Sequence, residues 1–407
     1  MTAANGLGRG ERVGRRSIRV RWRLAPWWLR TTLVYLAARA VTTVLVLALA
    51  RVQGANPWTD ARPGYFAFAN LWDARWYELI AFWGYPGELP LTDDGHVAEN
   101  AWAFMPVYPS IVRLVTLTGA PWNVASVLVS LAAGLAAALV LHRLLSRFLA
   151  GDQALYAVLL FAVAPVSPIM QFGYAESLSF LWIALALLLL VDRRYGWLFA
   201  VVALWSFTRP GALAFALALG FHFLWRLRHR EREPFPVRTR WLVVALGLFT
   251  AVAGFAWLGV AWWVTGSPTA YTDTELAWRA AYIGYGELVP FAPWFQSGDW
   301  WLGQPLGTIA VIALVIAFAL VLCAPWVRRL GVDIRFWLLA YGLYLLAVFF
   351  PQSSVFRMLA PMFPLVGALA VPRSRAYRVA LVVVSLVLQL GWLMLCWAVD
   401  GRDWTPP

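Results

Sequence analysis

The chain has 407 residues, 62% of them hydrophobic and 13% charged, with a mean hydropathy of +0.68. A soluble domain of this length needs far more polar surface, so water is not the only solvent this sequence is built for. The net charge of +13 carries no lysine, and its arginines cluster beside apolar runs; that is the distribution of topology signals rather than of a nucleic-acid groove.

Apolar runs of roughly 17–25 residues, the span of a bilayer core, recur along the whole length. The expected fold class is all-α: a polytopic transmembrane helical bundle of about eleven spans, with short interfacial helices in its first external loop. One membrane domain covers 31–398, after an Arg-rich cytoplasmic tail at 1–30 and before an external tail at 399–407. The first run, Leu33 to Ala50, follows arginines and ends Ala48-Leu49-Ala50, like a signal peptide. It exceeds the roughly 7–15 apolar residues of such a leader and reads as a retained helix.

Further spans are expected near 122–142, 153–170, 177–191, 195–208, 211–225, 241–264, 303–325, 336–350, 358–371 and 379–398. With the N-terminus cytoplasmic, 24 of the 33 arginines fall on the inner side and eight outside, with Arg39 inside the first span. The positive-inside rule therefore fixes the orientation, with an external C-terminus. Most carboxylates fall on the external side, as do the two long connections at 52–121 and 265–302. The cytoplasmic loops are too short for a soluble catalytic domain, so any chemistry belongs outside.

In the first long connection, Leu71 to Tyr85 has helical periodicity. Trp72, Trp76, Leu79, Ile80 and Trp83 form one apolar stripe, expected to lie along the membrane surface. Asp73 sits at the edge of that stripe, on the side of Tyr77 and Gly84, while Glu78 points away and cannot pair with it. Spacing alone leaves two readings: an aspartate capping its helix, or a carboxylate held where a lipid phosphate would sit.

In the second long connection Tyr271, Trp278, Tyr282 and Trp294 could stack on sugar rings, but membrane interfaces attract the same residues. Asp93-Asp94 and Asp273-Thr274-Glu275 read as solvated loop carboxylates, with no metal expected, and His96 and His142 have no ligand spacing. Cys323 and Cys396 both lie in apolar runs and read as unpaired.

Five segments, in order, carry a resemblance. They are Trp72-Asp73-Ala74-Arg75-Trp76-Tyr77, Phe104-Met105-Pro106-Val107-Tyr108-Pro109, Tyr174-Ala175-Glu176-Ser177, Thr208-Arg209-Pro210-Gly211 and Arg357-Met358-Leu359-Ala360-Pro361. Together, over about 70–365, the chain resembles the PIG-V-like mannosyltransferases of the GT-C class. Met105, Ala175 and Met358 depart from that family's pattern without removing an ionisable group. The all-arginine basic complement, with abundant Ala and Trp, points to a GC-rich bacterial genome.

The resemblance implies a GT-C-like fold in the plasma (inner) membrane. It implies transfer of mannose, or a related sugar, from a polyprenyl-phosphate donor to an external glycolipid, glycan or protein acceptor. No cofactor is expected beyond that lipid-linked co-substrate. Asp73 is the expected general base, giving inversion. Arg209 and Arg357 are the candidates for the donor phosphate, and Glu176 for sugar hydroxyls or a neighbouring arginine. Tyr77, Tyr108 and Tyr174 are candidate sugar or acceptor contacts. The rival reading is a transporter or lipid-sugar flippase, which predicts midplane charges and an internal repeat. Arg39 is the one such charge, expected to pair with an outer-side carboxylate.

Overall fold

The computed structural model describes residues 20–398 and 406–407. The tail arginines before residue 20, and Asp400, Arg402 and Asp403, lie outside the described residues. Those described are helical, with only two isolated bridges, Asn56–Thr59 and Leu91–Val97, outside helices and turns.

Six helices among the described residues are long and apolar enough to cross a membrane: α1 (Trp27–Val52), α4 (Trp122–Leu145), α9 (Val237–Thr265), α12 (Leu306–Cys323), α13 (Gly331–Val348) and α15 (Arg375–Cys396). Between them run α2 (Asp73–Trp83), α3 (Val107–Thr116), α5 (Gly151–Val163), α6 (Glu176–Val191), α7 (Tyr195–Ser206), α8 (Ala212–Arg228), α10 (Ala270–Ala277), α11 (Pro293–Leu302) and α14 (Val355–Leu359). The molecule is a multi-pass helical bundle of membrane type.

Two expected spans are broken, and proline is the reason for both. The segment expected at 153–170 stops as α-helix at Val163; Pro165 and Pro168 have no N–H to continue it, and a 3-10 turn, Ser167–Gln171, follows. The segment expected at 358–371 is α14, then a 3-10 stretch Ala360–Leu365 containing Pro361 and Pro364, then a short turn.

The first break explains Arg39. A helix that ends inside a bundle leaves carbonyls without partners, and in an apolar surrounding each must find one. Arg39, buried in α1, donates to the carbonyls of Ala162 and Ser167 and to the Ser167 hydroxyl. Gln389 of α15 donates to the Ala164 carbonyl and the Ser167 hydroxyl. The expected carboxylate partner of Arg39 is thus replaced by backbone oxygens, and its role is to cap α5.

The centre of the bundle is the pair α4 and α6. Ser126, Ser130, Ala133, Ala137 and Ala138 line the buried side of α4, and such small side chains let helix backbones approach closely. Helix α6 connects two groups of ion pairs. One surrounds Glu176 at its first residue; the other, around Arg193 and Asp333, follows its last turn. Sixteen residues at 1.5 Å rise separate the two ends by about 24 Å.

Candidate active site

Asp73 is the first residue of α2, and the cap position before it is Trp72, at φ +58°. The capping reading therefore fails: the Asp73 side chain caps nothing. The buried face of α2 is Asp73, Ala74, Tyr77 and Ile80, whereas Trp83 is 77% exposed. The expected stripe is split: Ile80 joins the buried face and Trp72 and Trp76 are half-buried, while Leu79 and Trp83 stay exposed. Glu78 pairs with Arg75 on the exposed side, 3.5 Å away.

A left-handed conformation at Trp72 costs about 1–3 kcal/mol and needs outside support. The indole of Trp72 donates to the Cys396 carbonyl at 2.8 Å, and that of Trp397 donates to the Phe68 carbonyl at 2.7 Å. The end of α15 thus holds both sides of the turn that starts α2.

Glu176 is positioned by another break, the extended residues between the 3-10 turn and α6. The Gly173 N–H donates to the Ala69 carbonyl. A Cβ there would stand 2.4 Å from Asn70 Oδ1 and 3.1 Å from the Ala74 Cβ. Only glycine lets this segment lie against the start of α2.

Arg209 lies in the turn between α7 and α8. Val107 N–H donates to the Phe207 carbonyl, and the Trp182 indole to the Thr208 hydroxyl. Gly211, at φ +150°, sits against the Trp205 ring and completes the turn. Arg357 is on α14, which α13 secures through Tyr341 O–H to the Met358 carbonyl and the Trp337 indole to the Pro361 carbonyl.

These four segments converge. Arg357 donates to Asp73 Oδ2 in a buried ion pair and lies 3.4 Å from Glu176 Oε1. Arg209 reaches the same Glu176 oxygen at 2.8 Å. The side chains of Asp73, Glu176 and Arg357 are each 10% exposed or less, and that of Arg209 is 16% exposed. Two carboxylates and two guanidiniums in alternation offset each other's burial, which no isolated charge could sustain. The set keeps unused capacity: Glu176 Oε2, Arg357 Nε and the Ser177 hydroxyl are buried without a hydrogen-bond partner.

All five recognisable segments supply this site or its support, so every expected charged residue, Asp73, Glu176, Arg209 and Arg357, is in one cluster. The three tyrosines stand differently. Tyr77, Tyr108 and Tyr174 are no more than 1% exposed and form its floor. Tyr108 O–H bonds the Ser126 carbonyl and Ser130 hydroxyl, and the Tyr77 ring meets Tyr108 edge-on at 5.0 Å. Tyr174 accepts from the Asp73 N–H at 3.2 Å and lies beneath the Arg357 guanidinium.

Sequence reasoning missed Glu275 as part of this neighbourhood, grouping it with solvated loop acids. Helix α10 brings it within electrostatic reach of Arg209, Arg357 and Asp73, with Tyr271 one turn before it. Although Glu275 is exposed, the protein packed around it raises its carboxyl above the ordinary value, while Tyr271 and the two arginines pull the other way. Its i, i+4 spacing from Tyr271 was the only local signal.

Two other aromatics of the second connection, Trp278 and Trp294, contact the rest of the protein. Trp278 meets Trp76 and Phe104 edge-on, and the Trp294 indole donates to the Leu345 carbonyl. Among the described residues, no three His, Cys, Asp or Glu side chains gather as a metal site, and Cys323 and Cys396 are unpaired. No protein-family model matches the chain, and no curated protein matches it.

Proposed function

We propose that this protein is a membrane glycosyltransferase of GT-C type that moves mannose, or a related hexose, from a polyprenyl-phosphate donor to an extracytoplasmic acceptor with inversion. One observation carries the reading: a buried, charge-balanced cluster of Asp73, Glu176, Arg209 and Arg357, assembled from breaks between helices at one end of the bundle. Irregular backbone in a membrane bundle is tolerated only where it is buried in protein or lines a water-filled cavity, and ionisable groups there are functional by default.

In the proposed reaction the donor phosphate takes Arg357, releasing Asp73 from its ion pair. The freed carboxylate accepts the proton of the acceptor hydroxyl as its oxygen attacks the anomeric carbon. The carbon–oxygen bond to phosphate breaks with its electron pair, through an oxocarbenium-like state. Arg209 and Arg357 stabilise the charge that develops on the leaving phosphate. Glu176 holds the two guanidiniums at one carboxylate oxygen, and Tyr174 supports Asp73 through the Asp73 backbone N–H. The arginine distribution favours an extracytoplasmic cluster, with the N-terminus cytoplasmic. The acceptor is a glycolipid, a glycan or a protein exposed there.

The test is transfer of labelled sugar from polyprenyl-phosphomannose by the purified chain in proteoliposomes, using membrane and cell-wall extracts as acceptors. New glycosidic bonds, absent with Asp73→Asn, support the enzyme. Movement of the lipid across the bilayer without new bonds assigns the molecule to the flippase class and overturns the proposal.

A further inference from the structure

At the other end of α6 lies a cavity of about 660 Å³ that the proposed chemistry does not use. Three arginines line it: Arg193, Arg194 and Arg226. Arg193 is tied to Asp333 at 2.8 Å and to Glu233 at 3.5 Å. Arg226 has a side chain only 8% exposed and pairs with Glu233 at 3.8 Å; it donates to the Pro234 carbonyl at 2.7 Å, yet its Nε is buried with no hydrogen-bond partner. Arg194 is exposed and forms no ion pair among the described residues.

The backbone adds to this positive field. Helix α7 begins at the cavity, its first residues Tyr195, Gly196 and Trp197 are in the wall, and no side chain caps it. A helix start presents free N–H groups and the positive end of the helix dipole. The rim is apolar: Trp197 is 69% exposed and Leu242, on the spanning helix α9, is exposed beside it. A basic recess between helix ends that opens onto lipid-facing apolar side chains suits one kind of molecule, an anion carrying hydrocarbon.

The geometry points to a binding site for the phosphate headgroup of an anionic membrane lipid, with Arg194, Arg226 and the start of α7 on the phosphate and Trp197 and Leu242 along its chains. This assignment is independent of the sugar-transfer reading, since the two sites are separated by the length of α6.

The experiment titrates the detergent-solubilised full chain with short-chain phosphatidylglycerol, phosphatidylcholine or inorganic phosphate, counting retained molecules by native mass spectrometry. Phosphatidylglycerol is expected to be retained in preference to phosphatidylcholine, and Arg194→Ala and Arg226→Gln are each expected to weaken its retention about fivefold. Should Arg226→Gln fail to fold, the exposed Arg194 carries the test alone. Equal retention of the two lipids, or retention unchanged in Arg194→Ala, overturns the site. Displacement of the lipid by an equal concentration of inorganic phosphate assigns the recess to a free anion and overturns its lipid identity.

Discussion

Asp73 and Arg357 stand 284 positions apart in the chain and form a buried ion pair with Glu176 beside it. The pair links the start of α2 to the broken helix near the C-terminus. Its chemistry and its contribution to stability are therefore separable by mutation.

Asp73→Asn keeps the shape of the side chain and removes its charge. Sugar transfer is expected to fall by roughly 10²–10⁴-fold, the usual contribution of a general base. Arg357 keeps Glu176 at 3.4 Å, so elution as a single species in detergent should be retained, at a lowered thermal midpoint. Turnover near that of the wild type would remove Asp73 from the base role.

Arg357→Met leaves Asp73 buried beside no cation. Losing one partner of a buried pair costs roughly 3–5 kcal/mol, so a large drop in thermal midpoint is expected. Combining it with Asp73→Asn should recover much of that loss, because the stranded charge is gone. A double-mutant cycle that proves additive would show that the two residues are not coupled.

Arg39→Leu should lower stability without touching the site. The carbonyls of Ala162 and Ser167 lose their donor, at about 1–3 kcal/mol for each buried group left unmet. Yield of folded protein is expected to fall while transfer per folded molecule is retained. Selective loss of transfer instead would place Arg39 on a substrate path.

Gly173→Ala forces a methyl group against Asn70 and Ala74. Overpacking of this kind costs about 1–3 kcal/mol, and here it pushes Glu176 away from α2. Activity is expected to drop more than the thermal midpoint does, which parallel assays of turnover and unfolding would reveal.

Glu275 supplies a pH dependence. Its carboxyl is raised in the folded protein, so the folded state binds the proton more tightly than the unfolded chain does. The stabilising contribution is fully present below the unfolded value and is lost as pH rises through the raised folded value. Unfolding midpoints measured from neutral pH downward toward the ordinary carboxylate range should therefore show a gain in the wild type that is smaller in Glu275→Gln. Identical profiles would mean that the crowded setting of Glu275 does not penalise its charge.

What the sequence determined by itself was whatever depends on solvent and on neighbours along the chain. Hydrocarbon length dictated the helices, although two expected spans run through prolines that break them, and the five short segments pointed to Asp73, Glu176, Arg209 and Arg357. Tertiary structure decided the rest, because its causes are contacts between distant segments. Helical periodicity put tryptophans on the leading face of α2, but packing against α15 and the Gly173 break rotated Asp73 and Tyr77 inward. Periodicity likewise could not reveal that Arg39 caps a helix more than a hundred residues away, or that Glu275 comes within electrostatic reach of the arginines. A charge inside a membrane protein is held by whichever partner the fold delivers, and that partner is not encoded in its local sequence.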